Sequence, residues 1–179
     1  EHGDDFQAAR EHALHLAAER GAHMVPSFHA DLLCGVATYW WEFLRAAPHM
    51  QMAYVPIGLG SGACGAIAAK LALGHPVRIV GVVSRHATTY ADSYAAGRVV
   101  EAPVSTQIAD GMAVRVADEG ALALFIRHLD HIVQVGDDEV AAAMRAIFTD
   151  THNVAEGAGA AAFAAALQER EQLRGLCVG

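Results

Sequence analysis

Four glycines occur within eight residues of one another, between an apolar run and an alanine-rich segment, in "MAYVPIGLGSGACGAIAAKLAL", residues 52–73. They are Gly58, Gly60, Gly62 and Gly65. A loop between a strand and a helix start suits an anion, because the first N–H groups of a helix lack internal partners and face the positive end of its dipole. Glycine also lets the backbone approach a ligand closely. The pattern therefore predicts that this loop and the Ser61 hydroxyl hold a phosphate. The alternative is a tight turn with close helix packing.

The same glycines match a second type of phosphate site. Residues 60–65, "GSGACG", fit the dinucleotide fingerprint G-x-G-x-x-G, which needs an acidic residue about 20 positions later to hold the ribose. Residues 78–91 contain neither Asp nor Glu, although Arg85 could meet the 2′-phosphate of NADP. An NADP-binding oxidoreductase domain is therefore an alternative. No Lys-Ser or Lys-Thr follows the glycines, so the sequence does not fit a P-loop.

The periodicity of the apolar residues predicts strands that alternate with helices along the chain. The predicted strands cover residues 23–28, 52–57, 77–83 and 131–135, with a further strand beginning at 176. The predicted helices cover residues 5–20, 31–47, 63–73, 88–96, 120–127, 137–147 and 157–167. This alternation is typical of an α/β fold with a doubly wound, mostly parallel sheet and helices on both faces. No linker or repeat divides it, so we expect one partial domain over residues 1–179.

Composition excludes several classes of partner. Twelve basic and 20 acidic residues give a net charge of −8, which argues against binding to nucleic acid or to an anionic membrane surface. No apolar run reaches the roughly 18 residues that a membrane-spanning helix needs. Cys34, Cys64 and Cys177 are isolated in the sequence, which predicts reduced thiols and a cytoplasmic location. Cys64 is predicted to be a small buried residue.

Five stretches occur in the order and spacing of one enzyme family. "PIGLGSGACG" resembles a phosphate loop that usually contains four consecutive glycines after Pro-Val, two of which are replaced here. The other four are "AAREHALHLAAERGAHMVPSFH", "IVGVV", "TQIADGMAV" and "VAEGAGAAAFAAAL". Over nearly its whole length the chain thus resembles the serine/threonine dehydratases, pyridoxal-phosphate enzymes of the tryptophan-synthase-β type (fold type II).

The resemblance implies a reaction and a cofactor. The activity would be elimination of water from a hydroxy amino acid such as L-threonine or L-serine, giving a 2-oxo acid and ammonia with pyridoxal 5′-phosphate as cofactor. Related racemases and phenylserine or hydroxyaspartate dehydratases share these motifs and remain alternatives. The residues that the resemblance assigns to the cofactor phosphate are Gly58, Leu59, Gly60, Ser61 and Gly62.

Two further cofactor-binding residues follow from the resemblance. Gly111, in "ADGMA", matches a backbone position close to the cofactor ring, and Glu156, in "AEGAG", matches an acid near the ring nitrogen. The alternatives are a turn glycine and an acid that stabilises a helix N-terminus. At two positions where relatives bind a divalent cation through acids, this chain has Val83 and Thr89, so we expect no metal there.

Lys70 is the only lysine of the chain, and it is not the lysine that forms the Schiff base in this family. It follows Gly62 by eight residues, about 12 Å along a helix, whereas the family's lysine lies well upstream. We therefore expect this chain to be the C-terminal part of a catalytic core, without its N-terminal portion and small domain, and inactive by itself. The missing N-terminal part is one expected partner. A second copy of the chain, contacted through Trp40, Trp41 and Phe43, is another.

Overall fold

The computed structural model describes residues 2–179 and contains a parallel sheet between two layers of helices. Its strands are β1 (Met52–Pro56), β2 (Arg78–Ser84) and β3 (Leu129–Val135). Its helices are α1 (Phe6–Arg20), α2 (Ala30–Ala46), α3 (Ser61–Leu73), α4 (Thr89–Ala96), α5 (Glu119–His128), α6 (Asp137–Thr151) and α7 (Gly157–Gln168). A short 3₁₀ turn, Asp110–Met112, lies between α4 and α5.

The sheet has the order β1-β2-β3, with both strand pairs parallel. The last residues of the chain extend it on the far side of β1. Val178 bridges Met52 in parallel, and the Tyr54 N–H donates to the Gly179 carbonyl at 2.9 Å. The predicted strand beginning at residue 176 is thus present as one bridge with flanking hydrogen bonds.

The two faces of β2 explain the layered architecture. Successive side chains of a strand point to opposite faces, and Ile79 and Val83 join the core formed with α2, α3, α4 and α5. Val80 and Val82 join the other core, which is formed with α6, α7 and the 3₁₀ turn. Because both faces are covered, β2 needs the apolar run that it has over residues 79–83. The predicted fold class is confirmed.

Two predicted elements differ from the structure. Residues 23–28 form no strand: no neighbouring strand pairs with them, Pro26 lacks an N–H, and Val25 is 64% exposed. Helix α6 continues to Thr151, beyond the predicted end at residue 147, because no helix breaker occurs before His152 takes a left-handed conformation with φ 60°. Across residues 2–179, none of the helices combines the length and apolar character that crossing a bilayer requires.

Cys64 is buried in the first turns of α3, as predicted, whereas Cys34 and Cys177 are exposed. Burial raises the pKa of the Cys64 thiol to about 12, so little thiolate is available there at neutral pH. We expect iodoacetamide at pH 8 to label Cys34 and Cys177 in the native chain and Cys64 only after unfolding in urea. Mass spectrometry of the labelled peptides measures this, and rapid native labelling of Cys64 would contradict it.

Candidate functional site

The glycine loop, residues 58–62, leads from β1 into an uncapped helix. Gly60 occupies the N-cap position of α3 with φ 101°, and no side chain of residues 2–179 caps this helix. The first hydrogen bond of the helix runs from the Cys64 N–H to the Gly60 carbonyl at 2.9 Å. The N–H groups of residues 61–63 precede that bond, so they are available to an external acceptor. An anion is the ligand that such a helix start favours.

The glycines of this segment have different physical reasons to be glycine. A Cβ on Gly58 would lie 2.2 Å from the Gly111 carbonyl oxygen, and one on Gly65 would lie 2.8 Å from a Val36 methyl on α2. Close packing therefore accounts for these two. At Gly62 the nearest atom to an added Cβ is the Tyr39 hydroxyl oxygen, 3.7 Å away, so the protein itself leaves space there.

Helix α5 supports the loop from below. A Cβ on Gly60 would lie 2.9 Å from Cζ of Phe125 and 3.1 Å from the Ala121 methyl. Phe125 is completely buried, and its ring centroid lies 5.3 Å from that of Tyr90. Gly60 therefore needs to be glycine both for its positive φ and because of the aromatic ring beneath it.

Tyr90, a buried residue of α4, holds the loop backbone. Its hydroxyl donates to the Leu59 carbonyl at 2.6 Å and accepts from the Asp118 N–H at 3.0 Å. Burial raises the pKa of this hydroxyl, so it remains protonated and can donate. The sequence analysis did not single out Tyr90; a tyrosine in a predicted helix carries no signal of a partner 31 positions earlier.

Asp137 anchors the segment that carries Gly111. Its carboxylate accepts from the Thr106 hydroxyl at 2.7 Å and from the Gln107 N–H at 2.8 Å. The Thr106 hydroxyl in turn accepts from the Ala109 N–H at 3.1 Å, next to the 3₁₀ turn. These contacts fix the turn and bring the Gly111 carbonyl against Gly58. Asp137 also lies in the first turn of α6, and nothing local in the sequence indicates its contacts with residues 106 and 107.

Glu156 caps helix α7. Its two carboxylate oxygens accept from the N–H groups of Ala158 and Gly159 at 2.9 and 2.8 Å. A Cβ on Gly111 would lie 4.0 Å from Glu156 Oε1 and 3.0 Å from the Ala158 methyl, so Gly111 and Glu156 are neighbours. The capping interpretation explains both oxygens of Glu156. Roles of Gly111 and Glu156 toward a cofactor ring stay predictions.

A cavity of about 540 Å³ opens beside the glycine loop. Its lining includes Asp5, Leu59, Ser61, Thr106, Asp110 and Gly111. A second cavity of about 390 Å³ shares Leu59 and Ser27 with it. The larger cavity thus brings together three of the predicted site residues, Leu59, Ser61 and Gly111. The other predicted site residues do not line this cavity and adjoin the residues that do: Gly58, Gly60, Gly62 and Glu156. An uncapped helix start, a serine hydroxyl and space at Gly62 fit a phosphate group.

Four other residues considered from the sequence lie in different surroundings. The Arg85 guanidinium donates to Glu139 Oε2 at 2.7 Å, at the start of α6, so the anchor that the NADP alternative requires is engaged in an ion pair. Val83 is buried, and the Thr89 hydroxyl donates to the Arg115 carbonyl at 3.0 Å; the expected lack of a metal there stays a prediction. Lys70 lies in the last turn of α3, at the end remote from the loop.

Asp5 at the cavity rim has a lowered pKa, because its carboxylate accepts from the Ala8 N–H at 2.8 Å and from Arg115 Nε at 2.7 Å. A depressed folded-state pKa adds stability that is fully present above the unfolded value of about 3.9 and is lost as pH falls through the folded value.

We expect unfolding midpoints in urea to fall more for the wild type than for Asp5→Asn between about pH 5 and pH 2. Asp4→Asn, one residue away, is the control and should follow the wild type; equal slopes for all three proteins would contradict the prediction.

Comparison with known proteins places these features in a family context. Residues 1–178 match the family model described as "Pyridoxal-phosphate dependent enzyme". The chain is 35% identical to an L-threonine ammonia-lyase of Geobacter sulfurreducens over 94% of this chain and 42% of that protein. It is 32% identical to a threonine dehydratase of Nicotiana attenuata over 92% of this chain and 28% of that protein. Processed threonine deaminase isoform 2 of Solanum lycopersicum superposes with a TM-score of 0.90 at 26% identity, covering 99% of this chain and 52% of that one. The chain thus spans about half or less of the relatives that it matches.

Proposed function

Because this chain belongs to the family of pyridoxal-phosphate dependent enzymes, we propose that it forms the phosphate-binding part of a lyase. The lyase eliminates water from a hydroxy amino acid such as L-threonine or L-serine and yields a 2-oxo acid and ammonia. In this proposal pyridoxal 5′-phosphate is the cofactor, and its phosphate is held by Gly58, Leu59, Gly60, Ser61 and Gly62. The relatives named threonine dehydratase and threonine ammonia-lyase support the reaction class.

The uncapped start of α3 is the observation that carries the proposal. Helices α1, α5 and α7 each begin with a carboxylate that accepts from their first N–H groups, whereas α3, like α4 and α6, has no side-chain acceptor at its N-cap among the described residues. The start of α3 also adjoins the cavity of about 540 Å³, which Ser61 lines. A phosphate dianion at Ser61 would take the place of that carboxylate, with the helix dipole favouring its charge. The net charge of −8 makes such a local site necessary, because the protein as a whole repels anions.

The residues of this chain bind and orient the cofactor rather than perform the proton transfer. When bound, pyridoxal phosphate withdraws electrons from the amino-acid Cα. The loop fixes one end of the cofactor, and the Gly111 segment, anchored by Asp137, forms the adjacent wall. Lys70 cannot act as the base because it lies at the opposite end of α3. The base therefore belongs to the part of the whole enzyme that this chain does not include, and the chain alone should not turn over substrate.

Assembly, location and substrate choice are further parts of the proposal. Trp40 is buried in the core, whereas Trp41 and Phe43 are 40% and 39% exposed on α2; these two are the residues we propose for contact with a second copy. Three free cysteines suit a reducing compartment such as the cytoplasm. A racemase, or a dehydratase acting on phenylserine or hydroxyaspartate, would use the same phosphate loop.

The test uses pyridoxamine 5′-phosphate, which has no aldehyde and cannot form an adduct with Lys70. We expect isothermal titration calorimetry to detect binding of this probe, much weaker binding of pyridoxamine, and no binding of NADP. Ser61→Asp should abolish binding, because its carboxylate would occupy the helix start that the phosphate needs. Ala68→Asp is the matched control: it adds the same charge to an exposed position of the same helix.

The outcomes separate the candidate functions. Binding of pyridoxamine 5′-phosphate that Ser61→Asp removes and Ala68→Asp retains supports the proposal. Equal affinity for pyridoxamine and its phosphate would place recognition outside the glycine loop and reject it. Preferential binding of NADP would favour the oxidoreductase alternative.

A further inference from the structure

Tyr90 lies behind the glycine loop and does not line the cavity, yet it is hydrogen-bonded to the loop backbone. Its side chain is 2% exposed. The Asp118 N–H donates to the Tyr90 oxygen at 3.0 Å, and a phenol has only one proton to donate. That proton is directed to the Leu59 carbonyl, 2.6 Å away. The donors and acceptors are therefore fixed: the Asp118 N–H at the start of α5 donates to Tyr90 on α4, and Tyr90 donates to Leu59 in the loop.

Holding the Leu59 carbonyl also determines the direction of the next amide. The C=O of Leu59 and the N–H of Gly60 belong to one peptide unit, and in a trans peptide these two groups point in opposite directions; the described chain contains no cis peptide bond. Because the carbonyl points to Tyr90 inside the protein, the Gly60 N–H points away from Tyr90. Among residues 2–179 this N–H has no hydrogen-bond acceptor.

We propose that Tyr90 is a positioning residue for the phosphate, acting through the Leu59–Gly60 peptide. Tyr90 keeps the Leu59 carbonyl oxygen, which carries a partial negative charge, away from the ligand. The same peptide orientation makes the Gly60 N–H a hydrogen-bond donor to the phosphate, in addition to the N–H groups of residues 61–63. This inference rests on the proposed function, since it specifies the Gly60 N–H as a donor to the same phosphate and assigns the residue that orients it.

A peptide flip would reverse the effect. Without the Tyr90 hydroxyl, the Leu59 carbonyl has no hydrogen-bond donor among the described residues, and a buried unpaired carbonyl is unfavourable. Rotation of this peptide would turn the carbonyl toward the cavity, where it would repel a phosphate and withdraw the Gly60 donor. Gly60 is the residue of the pair that can accommodate the change in backbone angles.

The test compares Tyr90→Phe with Tyr94→Phe, one helical turn later on α4. Tyr90→Phe retains the ring packed on Phe125, while Tyr94 is half-buried and makes no hydrogen bond through its hydroxyl among the described residues. We expect Tyr90→Phe to weaken binding of pyridoxamine 5′-phosphate and inorganic phosphate about 3- to 10-fold, the effect of one hydrogen bond. Binding of pyridoxamine should not change, and Tyr94→Phe should bind like the wild type.

A measurement on the wild type does not depend on the variant folding. In ¹H–¹⁵N NMR spectra we expect the Gly60 amide to shift on addition of either phosphate probe, together with the amides of residues 61–63. If residues 61–63 respond and Gly60 does not, the role of Tyr90 is rejected while the proposed function stands. If no loop amide responds, both are rejected. Equal loss of pyridoxamine binding in Tyr90→Phe would also reject the positioning role, because it would indicate general disruption.

Discussion

Replacing Gly58 by alanine is expected to separate the two loops that form the proposed phosphate site. The added Cβ would lie 2.2 Å from the Gly111 carbonyl oxygen, far inside van der Waals contact. Neither atom belongs to a flexible side chain, so the glycine loop and the Gly111 segment must move apart. Overpacking of this kind costs about 1–3 kcal/mol. We expect the thermal midpoint to fall by several degrees and binding of pyridoxamine 5′-phosphate to be lost.

Gly35→Ala is the matched control for this experiment. Gly35 lies within α2, and nothing approaches an added Cβ within 4 Å. Alanine favours a helix over glycine by up to about 1 kcal/mol, so this variant should be at least as stable as the wild type. Both midpoints can be measured by circular dichroism. If Gly58→Ala were as stable as Gly35→Ala and retained binding, the glycine at position 58 would have no packing role.

Phe125→Ala is expected to have the largest effect on stability. Phe125, a residue of α5, is completely buried against α3 and α4, and removing such a ring costs about 3–5 kcal/mol. This is a large part of the 5–15 kcal/mol that stabilises a typical domain. The ring also lies directly beneath Gly60, so its loss removes the support of the N-cap of α3. Urea denaturation measures the first effect, and titration with pyridoxamine 5′-phosphate measures the second.

Two further variants give this prediction its contrast. Phe125→Leu keeps most of the apolar volume, so it should lose less stability than the alanine variant and retain weakened binding. Ile126→Ala alters the next residue, which is 44% exposed, and should change the stability by no more than about 0.5 kcal/mol. A similar loss for Phe125→Ala and Ile126→Ala would show that the ring is not a structural support of the loop.

The layered fold could be predicted from the sequence because its signals are local. The unbroken apolar run of β2 requires cover on both faces, and the periodic helices between strands supply it. Gly74 ends α3 in a left-handed conformation, as its position in the sequence predicts. The segment 23–28 misled the prediction because its few apolar residues resemble a strand locally, whereas a strand also requires a partner. The family resemblance was confirmed over residues 1–178.

That the glycines form a loop between β1 and α3 could be predicted, but the residues that shape this loop could not. Four closely spaced glycines before a helical pattern are a local signal. The contacts of Tyr90 with Leu59, of Asp137 with Thr106 and of Phe125 with Gly60 join residues that are far apart in the sequence. No periodicity encodes such pairs. The sequence therefore indicated where the glycine loop lies and left open why each glycine was required.

The pairing of the last residues with β1 has a consequence for the order of folding during synthesis. The Cys177 N–H donates to the Gln51 side chain, a contact between residues 126 positions apart. Until the ribosome has made residue 177, the apolar strand β1 has an open edge on that side, and open edges promote intermolecular pairing. Because the glycine loop follows β1 directly, we expect it to reach its final geometry only after residues 177–179 have been synthesised and paired with β1. Contacts between neighbouring elements, such as those of β1 with α3, can therefore form early, whereas the pairing of β1 with residues 177–179 forms late.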